Sequence, residues 1–480
     1  MKLNPSIIRQ KRQDKRTGIL LILALLGCLG CHVDGDAASG YPWGRDLGDF
    51  LGSPARLVWV QDGGDNKDVF AQGDQLRLMG LDTGDGLGER VILAGPGNFY
   101  RPIISPDGSQ VVFSDQQAHQ AEVVDWSGKN RRRLGPGVAV AVWRDPETGT
   151  DWVVLGRDPV EGGGPTFQRL VRITLNSPHR EEALWDQSLV GADNVQFSAD
   201  GRLASAVMPW PTCGMLDFAA GEPVTLGKGC WPSLAPDNSY RFWFFDGAHR
   251  NLDLIETRNG TRHRIALADA PGIGGHEVYH PRWSRHPRYM VMTGPYTIRQ
   301  GGNNIRGGGE GIEIHVGRFA PDYTGVEAWF QATDNRRLDV YPDLWVATIP
   351  ELAGGMPDRI EPAGPAPVAT ARASVRVRAT LTKATPIPSP EDIAPYRQGL
   401  VANAYQVAEV VEGTLDDSEI LAAHWVIRDG ALLPDAARTV GQVYTLDLVP
   451  YDLVPELEGE RLAMDGDDLL LPLFYDRTAP

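Results

Sequence analysis

The chain has 480 residues, 42% of them hydrophobic, and a formal net charge of −16. This length and apolar content suffice for two or three domains with their own cores. The acidic balance, without a basic stripe or an aromatic platform, excludes nucleic acid as the expected partner. The 55 glycines and 36 prolines indicate many short strands joined by tight turns.

The N-terminal segment has the pattern of an export signal. Six basic residues and one acid in residues 1–17 precede a short apolar run, Ile19–Gly27. This run is too short to cross a bilayer as a helix, which needs ~20 residues. A basic region, a short apolar core and small residues are instead typical of signal peptides. Residues 1–27 are therefore predicted to be a signal peptide, and residues 28–54, rich in Gly and Asp, a tether.

The end of the apolar run, Leu25–Cys28, resembles the lipobox of bacterial lipoproteins. This resemblance implies that Cys28 is lipidated and becomes the mature N-terminus, with Cys31 as the second candidate. An ordinary cleaved signal and a short membrane anchor are the alternatives. Neither Cys is followed by Asp, which in that family usually marks retention at the inner membrane. The resemblance thus implies a protein of the bacterial cell envelope, periplasmic or lipid-anchored at the outer membrane.

A turn of small residues followed by an apolar strand recurs along the middle of the chain. The copies begin at Ser105, Ser198, Ala235 and Ser284. Their spacings are 93, 37 and 49 residues, and the first gap holds two repeats. A period of ~40–50 residues is typical of the four-stranded blades of a β-propeller. We therefore expect an all-β propeller of six blades over residues 55–349, with Tyr341–Ile349 as the closing strand. Five or seven blades are the alternatives, because the third repeat is degenerate.

These repeats, SPDG from Ser105 and APDN from Ala235, resemble those of TolB-like propellers of bacterial periplasmic proteins. The resemblance covers roughly residues 55–350 and implies the architecture. It implies no particular chemistry, because many such proteins are binding platforms and a minority are enzymes. The chain departs from the pattern in its last repeat, where His286 and Pro287 replace Asp-Gly.

The C-terminal part of the chain has a different pattern. Residues 350–370 are rich in Pro and Gly and are predicted to be a linker. Residues 371–480 contain five strand-like runs, which predict a small β-barrel or sandwich, with an OB-like barrel as one form. Because this region is acidic, the nucleic-acid binding of many OB folds is not expected here.

Two cysteines lie outside the signal region, Cys213 and Cys230. In an oxidising compartment such a pair can form a disulfide. The export signal therefore predicts a bond between them, and two buried free thiols are the alternative.

The aromatic run Phe242–Phe245 follows the third of these turns. Alternate residues of a strand face opposite sides. We expect both sides of this strand to be buried between blades, as core and not as a sugar-binding platform.

Four of the ten histidines lie in or just before the last repeat: His276, His280, His286 and His315. Imidazoles at the mouth of a propeller could bind a divalent metal together with carboxylates. Surface or packing histidines are the favoured interpretation, so no metal and no cofactor is predicted. The segment His276–His280 also matches the zincin pattern H-E-x-x-H, but Pro281 disfavours the helix that this pattern needs. Trp283, and Arg306 from the Gly-rich insertion Gly301–Gly311, complete the candidate ligand-binding residues.

The sequence predicts a non-catalytic binding platform in the envelope. Its partner would be an envelope protein or a polysaccharide, bound at the central mouth of the propeller. No complete catalytic motif is found, and no catalytic residue is predicted. The alternative is a metal-dependent lyase or hydrolase acting on an acidic polysaccharide through the His276–His315 region. The oligomeric state is left open.

Overall fold

The structure is a computed structural model that describes residues 47–160, 165–296, 305, 308–347, 374–464 and 471–478. The predicted signal peptide, both lipidation candidates, Arg306 and the predicted linker lie outside these residues. In the described part of the chain, no helix has the length and apolarity needed to cross a bilayer.

Six antiparallel sheets follow one another and form the six blades of a propeller, as the repeats predict. From the inner to the outer strand, blade 1 contains Asp339–Val346, Ala55–Asp62, Leu76–Asp82 and Arg90–Leu93. Blade 2 contains Tyr100–Ile104, Gln110–Asp115, Gln120–Asp125 and Arg132–Pro136. Blade 3 contains Val138–Arg144, Asp151–Pro159, Thr166–Thr174 and Glu181–Trp185, with Val190–Gly191 paired to its third strand.

The remaining blades follow the same plan. Blade 4 contains Leu203–Val207, Thr212–Asp217 and Glu222–Lys228. Blade 5 contains Cys230–Leu234, Phe242–Phe245, Asn251–Glu256 and Thr261–Ala266. Blade 6 contains Glu277–Trp283, Tyr289–Tyr296, Glu313–Phe319 and Val326–Gln331. The inner position of blade 4 is irregular, and a single bridge joins Phe197 to Ala204.

The first and last propeller strands close the ring. Ala55–Asp62 pairs with Asp339–Val346, so that one blade combines the two ends of the propeller sequence. This pairing confirms the closing strand that the sequence predicts. A closed ring leaves no long unpaired sheet edge between its first and last blades.

The repeated turns are held by their own side chains. Ser105 Oγ donates to Asp107 (2.6 Å) and accepts from the Gln110 N–H (2.9 Å). Ser198 repeats the pattern with Asp200 (2.6 Å) and the Leu203 N–H (3.1 Å). Ser and Asp favour such turns because their side chains replace missing backbone partners. Each turn therefore ends one inner strand at the same level of the propeller.

The aromatic run packs as predicted. Phe242 and Phe244 join one buried cluster, and Trp243 and Phe245 join another on the opposite side of the strand. Trp243 stacks on Trp283 of blade 6, with ring centroids 4.3 Å apart. The run is thus core between neighbouring blades.

A short helix, Leu47–Leu51, precedes the first strand in the region predicted to be a tether. Leu47 and Leu51 are buried against strands of blades 1 and 6. The Tyr289 hydroxyl donates to the Leu51 carbonyl (2.9 Å). The end of the predicted tether is therefore part of the propeller's packing.

The C-terminal strands close into a small five-stranded β-barrel, as predicted. In chain order they are Val375–Lys383, Gly399–Glu412, Glu419–Arg428, Val443–Pro450 and Leu473–Asp476. The ring order is 1-2-3-5-4-1, and only the pair of strands 3 and 5 is parallel. This connectivity is that of an OB fold. Shorter elements are Ala431–Leu432, Tyr451–Leu453, Pro455–Leu457 and Arg461–Met464.

The barrel packs directly on blade 5. The Gly247 N–H donates to the Glu458 carbonyl (2.9 Å), and the Leu462 N–H donates to the Gly247 carbonyl (3.1 Å). A Cβ atom at Gly247 would lie 1.9 Å from the Glu460 carbonyl oxygen, so this approach requires glycine. Ala248 shares an apolar cluster with residues of the barrel.

Candidate functional site

The inner strands carry a repeated irregularity at the middle of the central channel. Five non-glycine residues there have φ between 41° and 54°: Arg101, Asn194, Trp231, His280 and Tyr341. In blade 3 the register shifts between Ala139 and Ala141, at Val140. Bulges of this kind re-aim side chains and are common beside functional sites. We call these six residues the throat.

The throat side chains line one narrow cavity of about 20 Å³. Such a volume holds about one water molecule. Arg101 is held in place by the Tyr100 hydroxyl (2.5 Å), the Ala192 carbonyl and the Asp193 carboxylate. Its guanidinium also lies over the Tyr341 ring, 5.1 Å from the centroid. The throat is too narrow to admit a polypeptide or a sugar chain.

His280 is the titratable group of the throat with a free ring nitrogen. The Thr293 hydroxyl donates its proton to the Tyr279 carbonyl (3.1 Å), so it accepts from His280 Nδ1 (3.0 Å). Burial and the charge of Arg101 lower the pKa of His280 well below its usual value. His280 is therefore neutral, with its proton on Nδ1. Its Nε2 is buried and has no hydrogen-bond partner among the described residues.

Beyond the throat the channel widens into a cavity of about 430 Å³, which we call the mouth. Its wall is made by the last residues of the inner strands and by the turns that follow them. Its polar and turn residues include Arg144, Ala199, Pro236, Arg282, Arg285 and Asp343. Arg282 and Ile103 line both throat and mouth, which shows that the two are continuous.

Two of the three mouth arginines have carboxylate partners. Arg144 donates from Nε and Nη2 to Asp151 (2.7 and 2.8 Å), and Arg282 donates from Nε to Asp343 (2.7 Å). Arg285 is half-buried and makes no ion pair among the described residues. Its Nε is fully buried and has no hydrogen-bond partner there. Burial lowers the pKa of Arg285, and Asp343 opposes this shift.

At the opposite end of the channel, which we call the covered end, the barrel packs on blades 5 and 6. Arg461 of the barrel is 4% exposed and pairs with Glu277, the first residue of blade 6's inner strand. Arg461 Nη1 also donates to the carbonyls of Gly247 (3.1 Å) and Leu462 (3.0 Å). Burial alone would raise the pKa of Glu277, but the charge of Arg461 together with His249 and Arg250 outweighs this effect and holds the pKa at about 2. Glu277 is therefore ionised, with its counter-charge in place.

A directed chain of hydrogen bonds continues from this ion pair. The Tyr279 hydroxyl donates to Glu277 (2.5 Å) and accepts from His249 Nδ1 (2.8 Å). His249 Nε2 then accepts from the Tyr396 hydroxyl of the barrel (3.0 Å), which accepts from the Cys230 thiol (3.1 Å). Every member of this chain has a partner, so the covered end is a structural seam between the propeller and the barrel.

The predicted disulfide between Cys213 and Cys230 is not present, and both residues are free thiols. Cys213 is fully buried between blades 4 and 5. The thiol of Cys230 instead faces the barrel, where it contacts Tyr396 and accepts from Trp210 Nε1 (3.4 Å). The prediction rested on the export signal, which does not show that the two thiols belong to different packing clusters.

Three of the predicted site histidines lie away from the channel. His276 is half-buried in the turn before blade 6. His286 sits in the Ser284 turn, where its Nδ1 accepts from the Arg288 N–H (3.1 Å). His315 lies on the third strand of blade 6 and donates from Nε2 to the Pro271 carbonyl (2.9 Å). Of the four histidines, the structure therefore places only His280 in the channel.

The zincin pattern and the metal hypothesis find no supporting geometry. Glu277 and His280 lie on a strand, and Glu277 is committed to Arg461. Within the described ranges, no three His, Cys, Asp or Glu side chains come together as a metal ion would require. Trp283 borders the mouth, but its Nε1 donates to the Pro287 carbonyl (2.7 Å) and its ring is core.

Sequence reasoning missed the throat and the mouth arginines, although both leave a signal. Four of the five left-handed throat residues precede proline, in Arg101-Pro102, Trp231-Pro232, His280-Pro281 and Tyr341-Pro342. Arg285 is the second residue of its turn, the repeat position that Ala199 and Pro236 occupy in two other turns. A comparison of the repeats by position would have found both features.

Comparisons with known proteins show a distant structural similarity to TolB-like β-propellers. No protein-family model matches the chain, and no curated protein matches it. TolB from Acinetobacter baumannii has 15% identity and a TM-score of 0.42, over 62% of this chain and 69% of that chain. A putative TolB from Agrobacterium tumefaciens has 14% identity and a TM-score of 0.36, over 61% and 98%. A chain of a nidogen/laminin complex has 8% identity and a TM-score of 0.39, over 61% and 99%. These similarities concern the fold alone.

Proposed function

We propose that this protein is a non-catalytic binding platform of the bacterial cell envelope, whose ligand or partner occupies the mouth of the propeller. The observation that carries this proposal is the mouth itself, a cavity of about 430 Å³ at the end of the inner strands. Ligand sites typically have volumes of about 300–1,000 Å³ and a few convergent polar groups. At the covered end the barrel packs on blades 5 and 6, so we expect ligand to enter from the mouth.

The envelope location rests on the sequence of the first 31 residues. Cys28 would carry the lipid anchor, and Cys31 is the second candidate. Fractionation of cells that express Cys28→Ser or Cys31→Ser distinguishes them. We expect Cys28→Ser to release the protein from the membrane fraction and Cys31→Ser to leave it there. If both single variants and the double variant stay in the membrane fraction, the proposal of a lipid anchor is wrong.

The barrel would fix the orientation of the propeller relative to its partner. Its contacts with blade 5 and the Arg461–Glu277 pair hold it against the covered end. A rigid connection of this kind presents the mouth in one direction. The described residues offer no observation that favours the alternative of a metal-dependent lyase or hydrolase.

Site-specific photo-crosslinking in intact cells tests the mouth as the binding site. Blade 4 offers a matched pair of alanines: Ala199 lines the mouth, and Ala220 is exposed at the outer edge. We expect a photoreactive residue at position 199 to form a discrete adduct, and one at position 220 to form none. The same adducts at both positions, or none at position 199, would overturn the proposal.

A further inference from the structure

We propose that the mouth binds an anionic group, a carboxylate or a phosphate, and that Arg285 is its principal contact. This inference rests on the proposed function, because it names the chemistry of a ligand at that same mouth. The steps that lead to it concern the position of Arg285, its electrostatic surroundings and the size of the cavity.

The position of Arg285 is set by the repeat. Several turns after inner strands present their second residue to the mouth, as Ala199 does in blade 4 and Pro236 in blade 5. In blade 6 this residue is Arg285, whose backbone N–H is fixed by the Leu344 carbonyl (3.2 Å). The turn therefore aims a long cationic side chain at a place where blades 4 and 5 present small apolar groups.

The carboxylates near Arg285 are engaged elsewhere. Asp343 already accepts from Arg282 (2.7 Å) and from the Ile104 N–H (2.8 Å). Asp151 is engaged by two donors of Arg144, and Asp107 is held within its own turn by serine side chains. Their charges act on Arg285 from a distance, but within the described residues none of them forms an ion pair or a hydrogen bond with its side chain.

A buried guanidinium N–H without an acceptor is unfavourable, and an anion would remove this penalty. Arginine presents paired N–H groups that match the oxygens of a carboxylate or a phosphate. The flanking Arg282 and Arg144 add positive potential at the same wall. The net charge of −16 repels anions from the remaining surface, so binding should be confined to the mouth.

Two small anions serve as probes: inorganic phosphate and succinate. Titration of the full-length chain in detergent, followed by calorimetry, is expected to show saturable binding of at least one of them. Arg285→Ala should weaken that binding by roughly tenfold or more, as expected for loss of a charge-assisted contact. Arg285→Lys should retain part of it. The relative affinities for phosphate and succinate then distinguish a phosphate ligand from a carboxylate ligand.

Arg169→Ala is the matched control. Arg169 is an exposed arginine of blade 3 that pairs with Asp158, away from the mouth. Its loss should leave anion binding unchanged. Equal weakening in Arg169→Ala and Arg285→Ala, unchanged binding in Arg285→Ala, or no saturable binding of either anion would overturn the inference.

The two proposals fail in different ways. A photoreactive residue at position 199 can be tested both in the otherwise wild-type chain and in the Arg285→Ala variant. If it cross-links the same partner in both, the binding-platform proposal is supported and the anion inference is wrong. If position 199 gives no adduct, the proposed function falls and the calorimetry alone decides whether the mouth holds anions. Thermal unfolding of Arg285→Ala, which is expected to match the wild type, shows that lost binding is not lost folding.

Discussion

The two ends of the central channel each contain an arginine, and the two arginines have opposite surroundings. At the covered end, Arg461 pairs with Glu277 and donates to two backbone carbonyls. At the mouth, Arg285 has no ion pair and no acceptor for its Nε among the described residues. Within the described part of the chain, the same side chain has a direct counter-charge at one end of the channel and no carboxylate in direct contact at the other.

This difference separates structure from function. A buried charge with all its partners holds two domains in one arrangement, and nothing else can bind to it. A charged group in a cleft without a direct partner is a candidate for binding, because perturbed charged groups cluster at functional sites. The comparison predicts which substitutions unfold the protein and which abolish its binding.

Loss of Arg461 should have the largest effect on folding. Arg461→Ala leaves Glu277 buried and without its counter-charge. Breaking a buried pair in this way typically costs about 3–5 kcal/mol of unfolding free energy. Denaturant unfolding at neutral pH measures the loss. The double variant Arg461→Met/Glu277→Gln, which removes both charges, should recover much of it.

The pH dependence provides a control for this prediction. In the wild type, the lowered pKa of Glu277 contributes stability that is present above about pH 4.3, the usual pKa of Glu, and is lost as the pH falls toward 2. Arg461→Ala lacks this contribution. The gap between variant and wild type should therefore narrow as the pH falls from 4 to 2. A gap that does not depend on pH would show that packing, and not charge, causes the loss.

Two buried acids that form no ion pair among the described residues extend the comparison to carboxyl groups. Burial and neighbouring acids raise the pKa of Glu313 to about 8 and that of Asp339 to about 7. The folded state therefore holds protons that the unfolded state releases between pH 4 and 8. Stability should fall as the pH rises through this range, by several kcal/mol between pH 5 and 8.

Glu313→Gln keeps the acceptor for the Asn335 N–H (2.9 Å) and removes the charge. Thermal unfolding at pH 5 and pH 8 should show a smaller drop in this variant than in the wild type. Glu222→Gln, at an exposed position of blade 4, should leave the drop unchanged. An unchanged drop in Glu313→Gln would mean that other groups set the pH dependence.

Removal of the Tyr396 hydroxyl should have a smaller effect at the covered end. Tyr396→Phe leaves His249 Nε2 without its donor and the Cys230 thiol without its acceptor. One such bond contributes about 1 kcal/mol to stability. Chemical unfolding should show a loss of this order, well below that of Arg461→Ala. A loss as large as that of Arg461→Ala would contradict the view that the ion pair dominates the seam.

The sequence predicts the mouth more easily than the covered end, for a physical reason. The turn at Ser284 and the closing strand are local patterns, and Arg285 is visible as the residue that breaks the repeat. The partners Glu277 and Arg461 lie 184 residues apart and meet only because the barrel docks on the propeller. No local pattern encodes that meeting.

The predicted disulfide was wrong for a related reason. Cys213 and Cys230 are 17 residues apart in the sequence. They lie on neighbouring blades and pack in different clusters, Cys213 between blades 4 and 5 and Cys230 toward the barrel. Proximity along a propeller sequence does not determine which packing partner a side chain faces.

Arg285→Ala should have the smallest effect on stability and the largest on binding. Among the described residues, Arg285 forms no ion pair and its Nε makes no hydrogen bond, so the unfolding free energy should change by no more than about 0.5 kcal/mol. A slight gain is expected if the unpaired N–H destabilises the wild type. Thermal unfolding without added anions, compared with Arg461→Ala, measures the contrast. A loss of stability similar to that of Arg461→Ala would mean that Arg285 holds the fold together, and the distinction between the two ends of the channel would disappear.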